Sequence, residues 1–125
     1  MKTFIYFQHS GIMLDDNGQQ VAIGWSGNGE GKNNPAMQDV HNVGPLPQGM
    51  YKVGDWQPTH PRLGPWVAAL TQVAGQTFGR SAFYIHGPST DPAKFGQESE
   101  GCIVVPRSMR LVLRALAPDF MEVKA

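Results

Sequence analysis

Cys102 is the only cysteine of the chain, and it stands between Gly101 and the apolar run Ile103-Val104-Val105. A lone thiol excludes an internal disulfide and any multi-thiolate zinc site. Two readings are left: a small buried hydrophobe, because free Cys is among the most buried residue types, or a nucleophile. Thiol catalysis needs a thiolate, a base or cation to stabilise it, and donors for the oxyanion that forms when sulfur attacks a carbonyl. The sequence offers a candidate for each. His86 closes the run Phe83-Tyr84-Ile85-His86-Gly87, sixteen residues before Cys102, and is the candidate base. If the two runs are neighbouring strands, both reactive side chains emerge at the same edge of a sheet. Gly101, lacking a side chain, lets a carbonyl approach the backbone closely, and the N–H groups of Gly101 and Cys102 are candidate oxyanion donors.

The remaining polar residues carry weaker signals. His9, His41 and His60 show no metal spacing such as His-Glu-x-x-His, so neither metal nor cofactor is expected. Gly27-Asn28-Gly29 with Gly31 lacks the Gly-Lys-Ser/Thr ending of a phosphate loop. Trp25, Trp56 and Trp66 read as core or cleft-wall aromatics. Arg110 follows Cys102 closely, and its planar fork suits a substrate carboxylate. The competing reading makes Arg110 part of a solvated helix face with Arg107 and Arg114.

Elements that could position these groups follow from the patterning. Thr3 to Phe7, Gly11 to Leu14 and Gln19 to Trp25 read as three strands, the last two joined at Asn17-Gly18, a strong hairpin signal. Ser26 to Gln48 turns to Gly, Asn and Pro, and loops of this length are usually functional or disordered. Gly49 to Asp55, Trp66 to Thr71 and Ser81 to Ile85 read as further strands. A second loop, Ser89 to Glu100, leads into the short run at Cys102. Pro106 suits the first turn of a helix running to Leu116, with Met109, Val112, Leu113 and Leu116 as its buried stripe. Phe120 to Val123 is expected as a closing strand. The whole reads as a mainly β fold with one clear helix.

At 125 residues the chain has room for one core, so residues 1–125 are read as a single domain. Lys plus Arg equals Asp plus Glu, at 10 each, so no net field gathers nucleic acid phosphates or anionic lipids. Met1 to Ser10 holds one Lys and an apolar run, Phe4 to Phe7, too short and polar for a signal peptide core, and no apolar stretch is long enough to span a membrane. The expectation is cytoplasmic synthesis without a signal peptide and no membrane span. Any substrate outside that compartment then requires another delivery route.

His86-Gly87, a polar loop, and then Ser99-Glu100-Gly101-Cys102-Ile103 resemble the catalytic stretch of L,D-transpeptidases, where His-Gly precedes Ser/Thr-His-Gly-Cys-apolar. Upstream, Asn33-Asn34-Pro35-Ala36-Met37-Gln38 followed by Val43-Gly44-Pro45-Leu46-Pro47-Gln48-Gly49-Met50-Tyr51 is similar to the type VI secretion L,D-transpeptidase effectors. The resemblance runs from about Tyr6 to the last helix. It implies an L,D-transpeptidase-like β-sandwich or barrel with one C-terminal helix. Two positions depart from the general motif: Glu100 stands where it has His, and Val104 where a polar residue is expected. Both differences bear on cross-linking and leave the thiol chemistry intact.

Carried over by position, the resemblance makes Cys102 the nucleophile and His86 its base, oriented by a backbone carbonyl, with Ser99 and Gly101 shaping the Cys turn. It groups Tyr84, Gly87, Glu100 and Arg110 around the substrate. The implied substrate is a peptidoglycan stem peptide, which loses D-alanine to water (L,D-carboxypeptidase) or exchanges it for a free D-amino acid. An antibacterial effector acting in the periplasm of a target cell is the implied setting, with a secretion machine and an immunity protein as partners. Two alternatives stay open: a decayed peptidoglycan- or protein-binding module, favoured by Glu100, and a cysteine amidase cutting another stem-peptide bond.

Overall fold

In the computed structural model, which describes residues 1–89 and 99–125, the short apolar runs become strands of one sheet. They are β1 (Thr3–Phe7), β2 (Ile12–Leu14), β3 (Gln20–Ile23), β4 (Trp25–Ser26), β5 (Gly49–Val53), β6 (Ala68–Gly75), β7 (Phe83–His86), β8 (Ile103–Val104) and β9 (Phe120–Lys124), with one helix, α1 (Arg107–Leu116), among the described residues. The strand order is β3-β2-β1-β9-β5-β6-β7-β8-β4. β1 with β9 and β7 with β8 are parallel, and the other pairs are antiparallel.

This order forces closure. β3 and β4 lie at opposite ends of the sheet, yet only Gly24 separates them in the chain. The sheet therefore curls until its two edges almost meet, as a nearly closed barrel. Gly24 is the seam: its N–H donates to Gly11 O at 2.9 Å, and a Cβ there would collide with Val104 O. The expected single strand from Gln19 to Trp25 is thus two, because the chain changes edges at Gly24.

Alternation fills the interior. Phe4 and Tyr6 of β1, Tyr51 of β5, Ile85 of β7, Ile103 of β8 and Met121 of β9 are each fully buried. Burial of a large apolar side chain contributes about 1.5–3 kcal/mol, so these positions set the register of their strands. Phe120 to Val123 does form a strand, but between β1 and β5, inside the sheet. The Asn17-Gly18 hairpin is present, with Asp15 Oδ1 accepting from Asn17 N (2.8 Å) and Gln19 N (2.9 Å).

Pro106 caps α1, and Ala117 ends it in a left-handed conformation (φ 51°) with its N–H on Leu113 O at 2.9 Å. The inward face differs from the expected stripe. Leu113 is fully buried and Met109 and Leu116 pack against the core, but Val112 is 46% exposed and Arg110 only 5% exposed. Arg110 takes the inward place because the groups it meets there are carbonyls, which an apolar side chain would leave unpaired.

The long segment after β4 is ordered, with 3₁₀ turns at Gly29–Gly31 and Pro35–Met37 and a fully buried Leu46. Most of the second expected loop, residues 90–98, lies outside the described residues.

Candidate active site

The site follows from the parallel pairing of β7 and β8. Ile85 lies opposite Ile103 and His86 opposite Val104, which puts Tyr84 level with Cys102. Side chains alternate across a strand: Phe83, Ile85 and Ile103 enter the core, while Tyr84, His86 and Cys102 line a cleft of about 400 Å³ on the other face. Glu100, Asn42, Arg62 and Leu63 are among its other wall residues, with Ser81 and Ala82. The volume falls within the range usual for small-ligand sites.

The Cys102 thiol is half-buried. Tyr84 N–H donates to its Sγ at 3.3 Å, and the thiol lies 3.7 Å from Ala82 O. Ala82 adopts φ 63°, a conformation rare for a residue with a side chain, and its carbonyl faces the sulfur. Burial pushes the thiol pKa up to about 11; the Tyr84 N–H lowers it, Glu100 raises it, and Arg62 and Arg80 lower it further. The thiol is therefore protonated at neutral pH.

His86 is almost fully buried at 3% exposure, with Nδ1 2.8 Å from Gly87 O. A carbonyl only accepts, so Nδ1 carries the proton and Nε2 is the basic nitrogen. A backbone carbonyl thus orients this His.

Ser99 holds the turn before the thiol. Its buried hydroxyl donates to Cys102 O (2.6 Å) and accepts from Gly27 N (2.8 Å) and Gly101 N (3.2 Å). This occupies the Gly101 N–H that sequence reasoning offered as an oxyanion donor, because the turn folds it back on Ser99. Gly101 is required at φ 128°, and a Cβ there would approach Arg80 Nη2 to 2.5 Å and the Phe83 ring to 2.9 Å. The long loop is stapled to the same turn through Ser26 Oγ on Gly101 O (3.3 Å) and Asn28 Nδ2 on Ser99 O (2.8 Å).

Arg80 escaped the sequence reading. It is 6% exposed and donates to four backbone carbonyls: Gln38 O (2.6 Å) and Pro45 O (2.8 Å) from Nη1, Gly44 O (2.9 Å) and Glu100 O (3.0 Å) from Nη2. The guanidinium also lies 5.6 Å from the Phe83 ring centroid. It ties the long loop to the turn that carries Cys102. Nothing in the sequence marks it, since its partners are main-chain atoms distant in the chain.

Arg110 is not brought to the cleft. Its Nη1 donates to Pro65 O (2.6 Å) and Trp66 O (3.3 Å), and its guanidinium packs against Gly87, where a Cβ would meet Nη2 at 2.5 Å. It is neither a cleft residue nor part of a solvated face. Gly87 accordingly serves close packing against Arg110. None of the three tryptophans lines the cleft: Trp25 lies under Lys32 Nζ (4.8 Å), Trp56 packs on the core, and Trp66 lies under Arg114 (4.1 Å). Among the described residues no group of His, Cys, Asp and Glu is arranged to hold a metal ion, and no helix is long and apolar enough to cross a membrane.

Comparison with known proteins agrees with this picture. The family model for the Tlde1 domain matches residues 20–118, which bears out the resemblance drawn from the motifs. A search of curated proteins finds no match. Among solved structures, an L,D-transpeptidase from Mycobacterium smegmatis superposes with a TM-score of 0.58 at 15% identity, covering 99% of this chain and 58% of that one. L,D-transpeptidase 3 from Mycobacterium tuberculosis, in complex with a faropenem-derived adduct, gives 0.58 at 16% identity, covering 99% and 60%. The helical cell shape determining protein Pgp2 from Campylobacter jejuni gives 0.67 at 18% identity, covering 98% and 46%. The chain thus has the L,D-transpeptidase-like fold and spans roughly half to three-fifths of the length of these structures.

Proposed function

The chain belongs to the Tlde1 domain family, and on that premise we propose that residues 1–125 form one catalytic domain for cysteine-dependent acyl transfer on peptidoglycan stem peptides. The observation that carries this reading is the placement of His86 at the end of β7 and of Cys102 immediately before β8, its parallel neighbour, both lining one cleft, with the His tautomer set by Gly87 O.

A thiol held near 11 starts the reaction protonated, so His86 acts as general base during attack and does not wait as half of a preformed ion pair. Nε2 takes the thiol proton while Sγ bonds to the carbonyl carbon of the third stem residue. The Cys102 N–H is the donor for the resulting oxyanion. The His86 imidazolium then protonates the departing nitrogen, the C–N bond breaks, and D-alanine leaves. Water resolves the thioester to a free carboxylate, or the amine of a D-amino acid resolves it to a new amide, and His86 accepts the proton in either case.

Removal or replacement of D-alanine deprives a wall of cross-linking donors. Family membership supports an antibacterial effector acting in a neighbouring cell's periplasm, with a delivery machine and an immunity protein as partners. One observation favours a second reading, a binding module without turnover: Glu100 beside Cys102 raises the thiol pKa. Mass spectrometry of tetrapeptide muropeptides separates the two. Loss of D-alanine, or its exchange for added D-methionine, is expected with the intact protein and not with Cys102→Ala. Unchanged muropeptides with folded intact protein sink the enzymatic reading, and loss of a different residue assigns another scissile bond.

A further inference from the structure

The chain has five arginines, and the structure commits most of them. Arg80 and Arg110 are buried on main-chain carbonyls, Arg114 lies over Trp66, and Arg107 is on the exposed side of α1. Arg62 alone among them lines the cleft with Cys102 and His86. Its side chain is exposed, and among the described residues no carboxylate pairs with it.

Its backbone, by contrast, is held firmly. His60 and Gly64 exchange both main-chain hydrogen bonds (2.9 and 3.0 Å), and His60 Nδ1 accepts from Arg62 N (3.1 Å) and Leu63 N (3.2 Å). The His60 ring meets the edge of the Tyr84 ring at a centroid distance of 5.2 Å, and Tyr84 N–H reaches Cys102 Sγ. A continuous set of contacts therefore runs from the nucleophile to the turn that carries Arg62. A long cationic fork on a fixed base, lining a cleft whose one other charged wall residue among those described, Glu100, forms no ion pair with it, is suited to a carboxylate arriving with the ligand. The mounting reduces the ordering cost of that contact.

We propose that Arg62 is the specificity-determining residue of the cleft, and that it selects stem peptides carrying a free carboxylate close to the scissile bond. This inference rests on the acyl-transfer reading for its substrate. Two carboxylates meet the description: the α-carboxylate of the leaving residue, and the side-chain carboxylate of a third residue of the diamino-dicarboxylic type.

The test is calorimetric binding to Cys102→Ala protein, with Arg62 intact and with Arg62→Gln. Three tetrapeptide-stem muropeptides are compared: unmodified, C-terminally amidated, and amidated on the third residue's side chain. Arg62→Gln is expected to weaken binding of the unmodified ligand by about tenfold or more, the size of a lost charge-assisted hydrogen bond. One amidated ligand should bind weakly from the start and be insensitive to the substitution, and which one it is identifies the carboxylate. Equal loss on all three ligands, no loss on any, or no binding at all overturns the proposal. D-alanine release by protein with Cys102 intact, assayed in parallel, separates it from the reading beneath it. Release that survives Arg62→Gln unchanged removes Arg62 and keeps the reaction, whereas Arg62-dependent binding without release removes the reaction and keeps Arg62.

Discussion

The Cys102 thiol sits among opposing influences. Burial and the Glu100 carboxylate raise its pKa, while the Tyr84 N–H and the guanidinium groups of Arg62 and Arg80 lower it. The balance lies near 11, against about 9 for an ordinary thiol, so thiolate is scarce at neutral pH and accumulates only in alkali. Alkylation by iodoacetamide should therefore be slow at pH 8 and climb as pH rises towards 11. Glu100→Gln removes a negative charge that disfavours thiolate, so it should lower the thiol pKa and speed alkylation at pH 8 over the intact chain. An unchanged or slower rate would show that Glu100 does not act on the sulfur. The residue types at this site were legible from the sequence because a lone Cys after Gly, preceded by His-Gly, is uncommon chemistry in a short chain. The unavailability of the Gly101 N–H was not, since it depends on where Ser99 Oγ points.

The turn before Cys102 owes its shape to elements far from it in the chain. Gly27, Asn28 and Ser26 from the end of β4, and Gln38, Gly44 and Pro45 from the long loop, all converge on residues 99–101 or on the Arg80 that supports them. Replacing Arg80 with Met should leave four carbonyl acceptors without their donor and cost about 3 kcal/mol or more, read as a lower midpoint in urea. Because Arg80 also favours the thiolate, alkylation of the folded variant should slow. Retention of both stability and thiol reactivity would reduce the clamp to a bystander. The helix shows the same dependence on distant partners. Its apolar spacing marks Met109, Leu113 and Leu116 correctly, but Val112 and Arg110 exchange places because Pro65 and Trp66 carbonyls face the Arg110 position.

For the molecule as a whole, closure of the sheet at Gly24 joins the first part of the chain to the part that carries Cys102. β4 pairs with β8, whose first residue follows Cys102, and Gly24 abuts Val104 of β8, so the seam lies against the strand that directly follows the thiol. Gly24→Ala drives a methyl group into Val104 O and onto Val105 Cγ2. An overpacked position of this kind costs about 1–3 kcal/mol, and here β8 must shift to relieve it. Denaturant unfolding should show the loss, accompanied by reduced D-alanine release; a variant as stable and active as the parent would mean that the barrel edges need not meet. The sequence by itself determined most strand positions, the hairpin, the helix and which residues are candidates for the chemistry, because alternation, turn chemistry and a unique thiol are local properties. Only the tertiary structure decided that β9 runs through the middle of the sheet, that Arg80 clamps the turn before Cys102, and that Arg62 rather than Arg110 faces the cleft. Long side chains of one type look alike in a sequence, and which of them meets carbonyls and which meets solvent depends on segments brought together only when the sheet closes.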